Sequence, residues 1–485
     1  MVNWSIISKI IGSLLFIEAF FMLWCLAMAL VHDEGDTLAF LMSATLTFGS
    51  AFLFLFFGRE AKNTLSRRDA YIVVTLTWLV FSFFGMFPFL IHGSVTNLSE
   101  AFFETMSGFT TTGVTTINDV EQLPHGILFW RSLMQWIGGL GIVFFTVALL
   151  PSLVGGSVKV FAAEATGPMR SKMHPRLSTS AKWIWSVYLL LTVACGLSYW
   201  MAGMEWFDAL NYSMTTTATG GFSPHNDSSV FFSSPTIEYL ATLFMFLSGI
   251  SFTLLYLSLF RLKFGSVTRS SEFRLYVGLI VVATAVIAYM LVTRLHYHYE
   301  PAFRSALFQV VSFITTTGLS NNNAGMWPNA AWIILGFLMF SGACAGSTTG
   351  GFKCIRILML FKVLRNEIRR ILHPNAVLPV KINGLSIPQS RLVSLLAVFT
   401  LYMVMLLTVT SVMIVSGIDS ADSLTIALSL VSNTGAGLDT NIGPVMSWVD
   451  LTDSLKFLCS LLMLVGRLEI MAVLVLFTRA FWREN

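Results

Sequence analysis

Long and short apolar runs alternate along this chain. The long runs lie at about 6–31, 38–58, 70–92, 127–151, 182–202, 236–261, 274–294, 330–371, 391–417 and 454–481. Four shorter ones stand between them, at 99–110, 205–216, 302–314 and 421–431. A helix needs about 20 residues to cross the hydrocarbon core of a bilayer. The ten long runs therefore predict transmembrane spans, and the four short ones predict half-helices that enter and leave by the same side. The opening run from Ile10 to Val31 exceeds the roughly 7–15 apolar residues of a signal peptide. Ala27-Met28-Ala29 is accordingly read as part of a retained first span.

Each short segment ends in the same polar signature. The copies are Thr110-Thr111-Thr112-Gly113-Val114, Thr217-Ala218-Thr219-Gly220-Gly221, Thr315-Thr316-Thr317-Gly318-Leu319 and Ser432-Asn433-Thr434-Gly435-Ala436. Aligned on Gly113, Gly220, Gly318 and Gly435, they are spaced by 220−113 = 107, 318−220 = 98 and 435−318 = 117 residues. In any single copy, Thr-Gly could simply end a helix with glycine at C′. Four copies with matched flanks form a repeat. The units read as 1–69 (two leading spans), 70–151, 152–262, 263–371 and 372–485, the last four each a helix–loop–helix repeat.

Composition supports the membrane reading. The chain is 55% hydrophobic and 11% charged, with mean hydropathy +0.75, against about 25% charged residues in soluble proteins. Charge distribution gives the sidedness. Arg59, Lys62, Arg67 and Arg68 follow the second span; Lys159, Arg170, Lys172, Arg176 and Lys182 follow the fourth. Arg261, Lys263, Arg269 and Arg274 fill the next loop on that side, and Lys362, Arg365, Arg369, Arg370 and Lys381 the one after. Stretches 93–126, 203–235 and 418–453 hold no Lys or Arg, but they do hold Asp119, Glu121, Asp208, Asp227, Asp439 and Asp450. The positive-inside rule then predicts cytoplasmic termini and outward-facing Thr-Gly loops. Arg304, in the third short segment, is the exception. The basic loops could also contact anionic lipid.

Irregular backbone at membrane depth is tolerated only inside protein or around a water-filled cavity. Four such loops about one axis would line a pore with carbonyl oxygens, the device of potassium filters. Each half-helix would point its partly negative C-terminus at the ion. The loops carry hydroxyls and no charge, which suits a weakly hydrated monovalent cation. Two further features lie in the spans. Gly342, Gly346, Gly350 and Gly351 crowd the run 330–371; they predict either tight helix packing or an unwound loop. Arg467 lies inside the last run, where a charge costs about 2.5–3.5 kcal/mol on insertion scales. It predicts either a functional charge or a bridge to a buried carboxylate. Glu18, in the first span, is expected to serve helix packing.

These residues resemble the Trk/Ktr/HKT potassium-transport superfamily, specifically its bacterial TrkH-type subunit. Gln135-Trp136-Ile137-Gly138-Gly139-Leu140-Gly141, the stretch from Ser341 to Gly351 and Gly466-Arg467-Leu468-Glu469 add to the likeness. The resemblance implies an all-α polytopic membrane protein with ten spans and four re-entrant pore helices in pseudo-fourfold array. It implies a potassium filter built from Thr111-Thr112-Gly113, Ala218-Thr219-Gly220, Thr316-Thr317-Gly318 and Asn433-Thr434-Gly435, mainly through backbone carbonyls. Asn433 departs from the Thr-Thr pattern. Plant-type members with serine in the first loop favour sodium, so Gly113 implies potassium. The likeness further implies that Gly342, Gly346, Gly350 and Gly351 form an intramembrane gate and that Arg467 is an electrostatic barrier in the pore. It implies potassium uptake across the bacterial inner membrane, channel-like or coupled to sodium or protons, by a homodimer. A cytosolic TrkA-type ring that binds NAD or ATP would dock on the basic face.

No Gly-x-Gly-x-x-Gly fingerprint occurs on a βαβ pattern, so no nucleotide site is expected on this chain. No nucleic-acid partner is expected either. A membrane enzyme would need converging His, Asp or Glu within the spans, and none is evident. Cys25, Cys195, Cys344, Cys354 and Cys459 form no Cys-x-x-Cys pair and read as small core hydrophobes.

Overall fold

The computed structural model describes residues 2–61, 65–141, 177–263, 265–322, 326–376, 378–437, 448–449 and 451–483. The expectations for Lys62, for 142–151 of the fourth run, for Lys159, Arg170, Lys172 and Arg176, and for Asp439 and Asp450 lie outside the described residues. The described chain is almost wholly helical, as the apolar pattern predicts. Six helices are long and apolar enough to span a bilayer, beginning with Trp4–His32 and Thr37–Phe57. Two further spans form if each of two sharply bent helix pairs is counted as one. Among the described residues, strands are confined to Lys381–Ile382 and Leu385–Ser386, a hairpin within the stretch read as a basic loop. Asn383 and Gly384 take φ of +47° and +82°, the left-handed pair that a tight two-residue hairpin turn requires.

The four short helices are Leu98–Phe109, Trp206–Ala218, Tyr299–Ile314 and Ser420–Ser432. Each packs against the helix that closes the preceding unit. The second meets His125–Gly139, the third Pro235–Ser248, the fourth Asn329–Ser341, and the first Asp453–Arg467. The order 1-2-3-4-1 closes on itself, which is the physical content of the fourfold repeat. Polar clasps hold the seams. Asp453 accepts from Asn97 Nδ2 at 2.9 Å and Ser99 Oγ at 2.6 Å, while Lys456 Nζ donates to Glu100 at 2.7 Å. Arg304, the exception to the charge rule, donates to Glu238 at 2.7 Å and to Glu300 at 2.9 Å. Its charge is absorbed by a seam between two units.

The inner helices break where long apolar runs predict continuity. Helix His125–Gly139 gives way to Gly141 at φ +86°. Pro235–Ser248 and Phe252–Leu259 meet at 103°, and Asp453–Arg467 turns by 113° into Ile470–Phe477. Run 330–371 is split between Asn329–Ser341 and Cys354–Leu372. Sequence reading found this last break only, because glycines crowd there. The others are marked by Gly138, Gly139 and Gly141, by Gly249, and by Glu469, whose φ of +62° is uncommon for a residue with a side chain. Arg356 holds Glu469 in an ion pair at 2.5 Å. Glu18 is fully buried close to Gly85, as expected of a packing residue. All five cysteines are buried and unpaired.

The seam between the fourth and first units makes a prediction. Lys456 is only 3% exposed at its side chain, and Glu100 is 22% exposed. Removing one partner of a fully buried pair costs about 3–5 kcal/mol, and partial exposure lowers that. Lys456→Met should destabilise the purified protein by about 1–3 kcal/mol, read as a lower melting temperature. An unchanged melting temperature would remove this clasp from the closure of the ring.

Candidate functional site

The four loops that follow the short helices share one backbone conformation. Thr111, Thr219, Thr316 and Asn433 all take φ of 54–55°. Two residues later Gly113, Gly221, Gly318 and Gly435 take φ of +86°, +78°, +77° and +74°. The residue between donates its N–H back into the helix in every copy: Thr112 to Ser107, Gly220 to Thr215, Thr317 to Ser312 and Thr434 to Ser429, at 2.8–3.0 Å. The second loop therefore sits one residue later than the sequence alignment has it. Gly221, not Gly220, matches Gly113, and Ala218 matches Thr110. With that register, the position six before the glycine is Ser107, Thr215, Ser312 and Ser429, a hydroxyl in every copy. The adjoining glycines at 220 and 221 hid the shift.

Each of the four glycines lies against a carbonyl of the neighbouring loop. A β-carbon on Gly113 would overlap the carbonyl oxygen of Gly220, and one on Gly221 would overlap that of Thr317. Likewise Gly318 abuts the Thr434 carbonyl, and Gly435 abuts that of Thr112. Four carbonyl oxygens thus each lodge beside the next loop's glycine in a closed ring. Only glycine combines this φ with the missing side chain. Threonine in the left-handed region is an outlier, whereas asparagine is tolerated there. Asn433 thus preserves the loop's backbone. Its Nδ2 donates to Thr112 Oγ1 and to the Met463 carbonyl, both at 2.9 Å, joining the fourth loop to the first.

Above the ring lies a cavity lined by all four of these glycines, Thr115, Asn118, Arg131 and His225. Its walls are braced from the short helices. Glu104 accepts from Thr115 Oγ1 at 3.0 and 3.1 Å, Tyr212 Oη meets Ser223 Oγ at 2.7 Å, and Gln309 Nε2 donates to Ser320 Oγ at 3.0 Å. These are the same positions in three repeats, nine before the glycine and two after it. The fourth copy has Ile426 and Gly437 there and cannot make the bond. Sequence reading missed the braces, although the equal eleven-residue separation, aligned on Gly221, was there to find. Arg131 adds a buried ion pair to Glu104 at 2.9 Å, donates to the Ser223 carbonyl at 3.1 Å, and covers the Phe222 ring at 4.2 Å. Gln135 Nε2 donates to the Gly220 carbonyl at 2.8 Å, and its Oε1 accepts from Phe222 N–H at 3.0 Å. Burial works against protonation of His225, but hydrogen bonds and charge from Asp208 and Glu121 outweigh it and hold its pKa above the ordinary histidine range.

Below the ring runs the non-helical segment Gly342–Lys353. Gly350 N–H donates to Thr316 Oγ1 at 2.7 Å, and Gly351 N–H to the Ser432 carbonyl at 2.9 Å. Thr348 Oγ1 donates to the Thr217 carbonyl at 3.1 Å. Gly350 has no room for a β-carbon against the Ser432 carbonyl, while Gly342, Gly346 and Gly351 take φ of +61°, +77° and +73°. The segment is unwound rather than a tightly packed helix, which resolves the alternative left open by the sequence. Buried Lys353 donates to the Thr349 carbonyl and closes the loop. Arg467 Nη1 donates to the Thr348 carbonyl at 2.8 Å, and Nη2 to the Gly138 and Gly139 carbonyls at 2.7 Å. Its guanidinium therefore joins three of the four units beneath the glycines. Neighbouring Glu469 is held by Arg356.

Several comparisons bear on this site. The family model "TrkH: Cation transport protein" matches residues 39–484. The chain is 36% identical over 489 residues to the Trk system potassium uptake protein TrkH of Escherichia coli K12, covering 99% of both. It is 33% identical to TrkG of the same strain, again over 99% of both. The crystal structure of the potassium transporter TrkH from Vibrio parahaemolyticus superimposes with a TM-score of 0.90 at 33% identity, covering 99% of this chain and 100% of that one. A ring of glycines and carbonyls in a multi-pass helical frame, matched over nearly the whole length, is the architecture of a transporter and not of an enzyme: the chain belongs to the TrkH family of cation transport proteins.

Proposed function

We propose that the protein carries potassium into the cell through the ring of carbonyls. The single observation that carries this reading is the closed contact of Gly113, Gly221, Gly318 and Gly435 with the Gly220, Thr317, Thr434 and Thr112 carbonyls. Carbonyl oxygens replace the hydration shell of a weakly hydrated cation, and no charged side chain stands in the ring. The related proteins are named for potassium uptake. The filter comprises Thr111-Thr112-Gly113, Thr219-Gly220-Gly221, Thr316-Thr317-Gly318 and Asn433-Thr434-Gly435. The segment from Gly342 to Gly351 is its gate, and Arg467 is the barrier beneath. The membrane is the bacterial inner membrane, with both termini cytoplasmic. A homodimer regulated by a cytosolic nucleotide-binding ring completes the system, the ring seated on the face that carries Arg365, Arg369 and Arg370.

The filter is tested by Gly113→Ser. A side chain here meets the Gly220 carbonyl and an unfavourable φ, so the ring must deform. Potassium preference over sodium in vesicle flux assays should fall, while Gly93→Ser, in open space at another left-handed glycine, should leave it intact. Equal ion preference in Gly113→Ser and the parent would sink the filter reading.

The gate is tested at Arg467. An arginine stays charged at any working pH, and two unit charges 4 Å apart repel by about 4 kcal/mol at an effective dielectric near 20. Each 1.36 kcal/mol of barrier removed is about a tenfold rate. Arg467→Ala should raise potassium flux per folded protein at least several-fold, and it also frees the Thr348, Gly138 and Gly139 carbonyls. Arg467→Lys should retain most of the block. A well-folded alanine variant with unchanged or reduced flux would take Arg467 out of the mechanism.

The regulator is tested by charge reversal. Arg369→Glu with Arg370→Glu should weaken salt-sensitive co-purification with an acidic cytosolic ring. Co-purification that ignores the reversal would point to another docking face.

A further inference from the structure

At the turn between the two helices of the leading hairpin, three metal-type ligands meet from two distant segments. His32 ends helix Trp4–His32, Glu34 stands in the turn that follows, and His125 opens helix His125–Gly139. The two imidazoles stack with centroids 4.0 Å apart and planes 3° from parallel. His125 Nδ1 lies 2.8 and 2.9 Å from the Glu34 carboxylate oxygens, and its backbone N–H donates to Glu34 Oε2 at 2.6 Å. His32 Nε2 is buried and has no hydrogen-bond partner. One ligand atom from each residue lies within 4.8 Å of the others.

We propose that His32, Glu34 and His125 form a binding site for a borderline divalent transition ion of the zinc class. The donor set selects the ion. Two imidazoles and a carboxylate, with a fourth position open to water, suit zinc and its neighbours. Magnesium and calcium demand oxygen ligands throughout. Ligand atoms in a tetrahedral zinc site stand roughly 3.3 Å apart, so the cluster, now within 4.8 Å, must contract by up to about 1.5 Å, and one imidazole must turn out of the stack so that the ion lies in the plane of both rings. The ion would take the place of the proton now shared by His125 Nδ1 and Glu34, and it would give the buried His32 Nε2 the partner it lacks.

The surroundings favour a cation. Asp36 is fully buried with both carboxylate oxygens unpartnered, pressed against Gly126 where no β-carbon would fit. Phe207 walls the site at 4.5 Å from the His125 ring. A bound ion would clamp the leading hairpin to the helix that carries Arg131 and Gln135, and so to the braces of the first two loops. The site is independent of whether the ring passes potassium.

The test uses the full chain purified in detergent. Co2+ is followed by its visible absorption and Zn2+ by calorimetry. The parent should bind one ion per chain and show a tetrahedral Co2+ spectrum that Zn2+ displaces. His32→Gln and His125→Gln should each weaken binding by more than the roughly 10–100-fold that loss of an outer-shell partner costs. Zn2+ should raise the melting temperature of the parent and not of the doubly substituted chain. If the double variant elutes as an aggregate, His32→Gln alone decides, since that side chain makes no hydrogen bond to lose. Absence of a saturable Co2+ spectrum in the parent overturns the proposal. So does undiminished affinity in His32→Gln.

Discussion

The approach of one loop's carbonyl to the next loop's glycine constrains everything else in this protein. It fixes the residue, because no β-carbon fits at Gly113, Gly221, Gly318 or Gly435. It fixes the conformation, because each glycine is reached only through a left-handed residue two places earlier. It also fixes the architecture. A ring of four loops closes only if each short helix packs on the preceding unit's last helix, which is the packing observed. The leading hairpin, Trp4–His32 and Thr37–Phe57, lies outside that cycle and stands against helices 67–85 and 125–139 of the first unit.

Irregular backbone within a membrane must find its partners in the protein or in the water of a cavity. Here the partners come from above and below. The upper braces are side chains of the short helices at one repeated position, reinforced in the first unit by the fully buried Glu104–Arg131 pair. A buried ion pair contributes little net stability by itself, but losing one partner is costly. Its role is therefore to hold Thr115, Thr116 and Ser223 in place rather than to stabilise the fold as a whole. The lower support is the segment 342–353, which donates backbone N–H groups to Thr316 and Ser432.

Much of this was legible in the sequence. Run lengths gave the membrane helices, the recurring Thr-Gly gave the four loops, and the glycine crowd gave the unwound segment. The register of the second loop was not legible, because Gly220-Gly221 offers two glycines and only backbone φ decides between them. The breaks at Gly249 and Leu468 were hidden inside apolar runs, since hydropathy reports burial and says nothing of direction. Asn433 looked like a departure from the repeat, yet its tolerance of left-handed φ makes it the residue that costs the loop least. The braces were invisible for another reason. Glu, Tyr and Gln share no composition signal, only a reach to the same hydroxyl position.

The coupling between the ring and the segment below it follows from shared atoms. Gly350 bonds the side chain of Thr316, a residue within a proposed filter loop, and Gly351 bonds the carbonyl that ends the fourth short helix. Arg467 bonds Thr348 of the same segment and the end of helix His125–Gly139. The segment cannot be displaced without giving up bonds to the third loop, the second and fourth short helices and Arg467 together. Buried donors and acceptors left unmade cost about 1–3 kcal/mol each, so displacement must be concerted with the arrival of water or ions that replace them. Under the proposed function, a conducting state is therefore a wet one below the ring. The three positions left behind (the Thr316 hydroxyl and the Ser432 and Thr217 carbonyls) are acceptors, to which water can donate and a cation can bind.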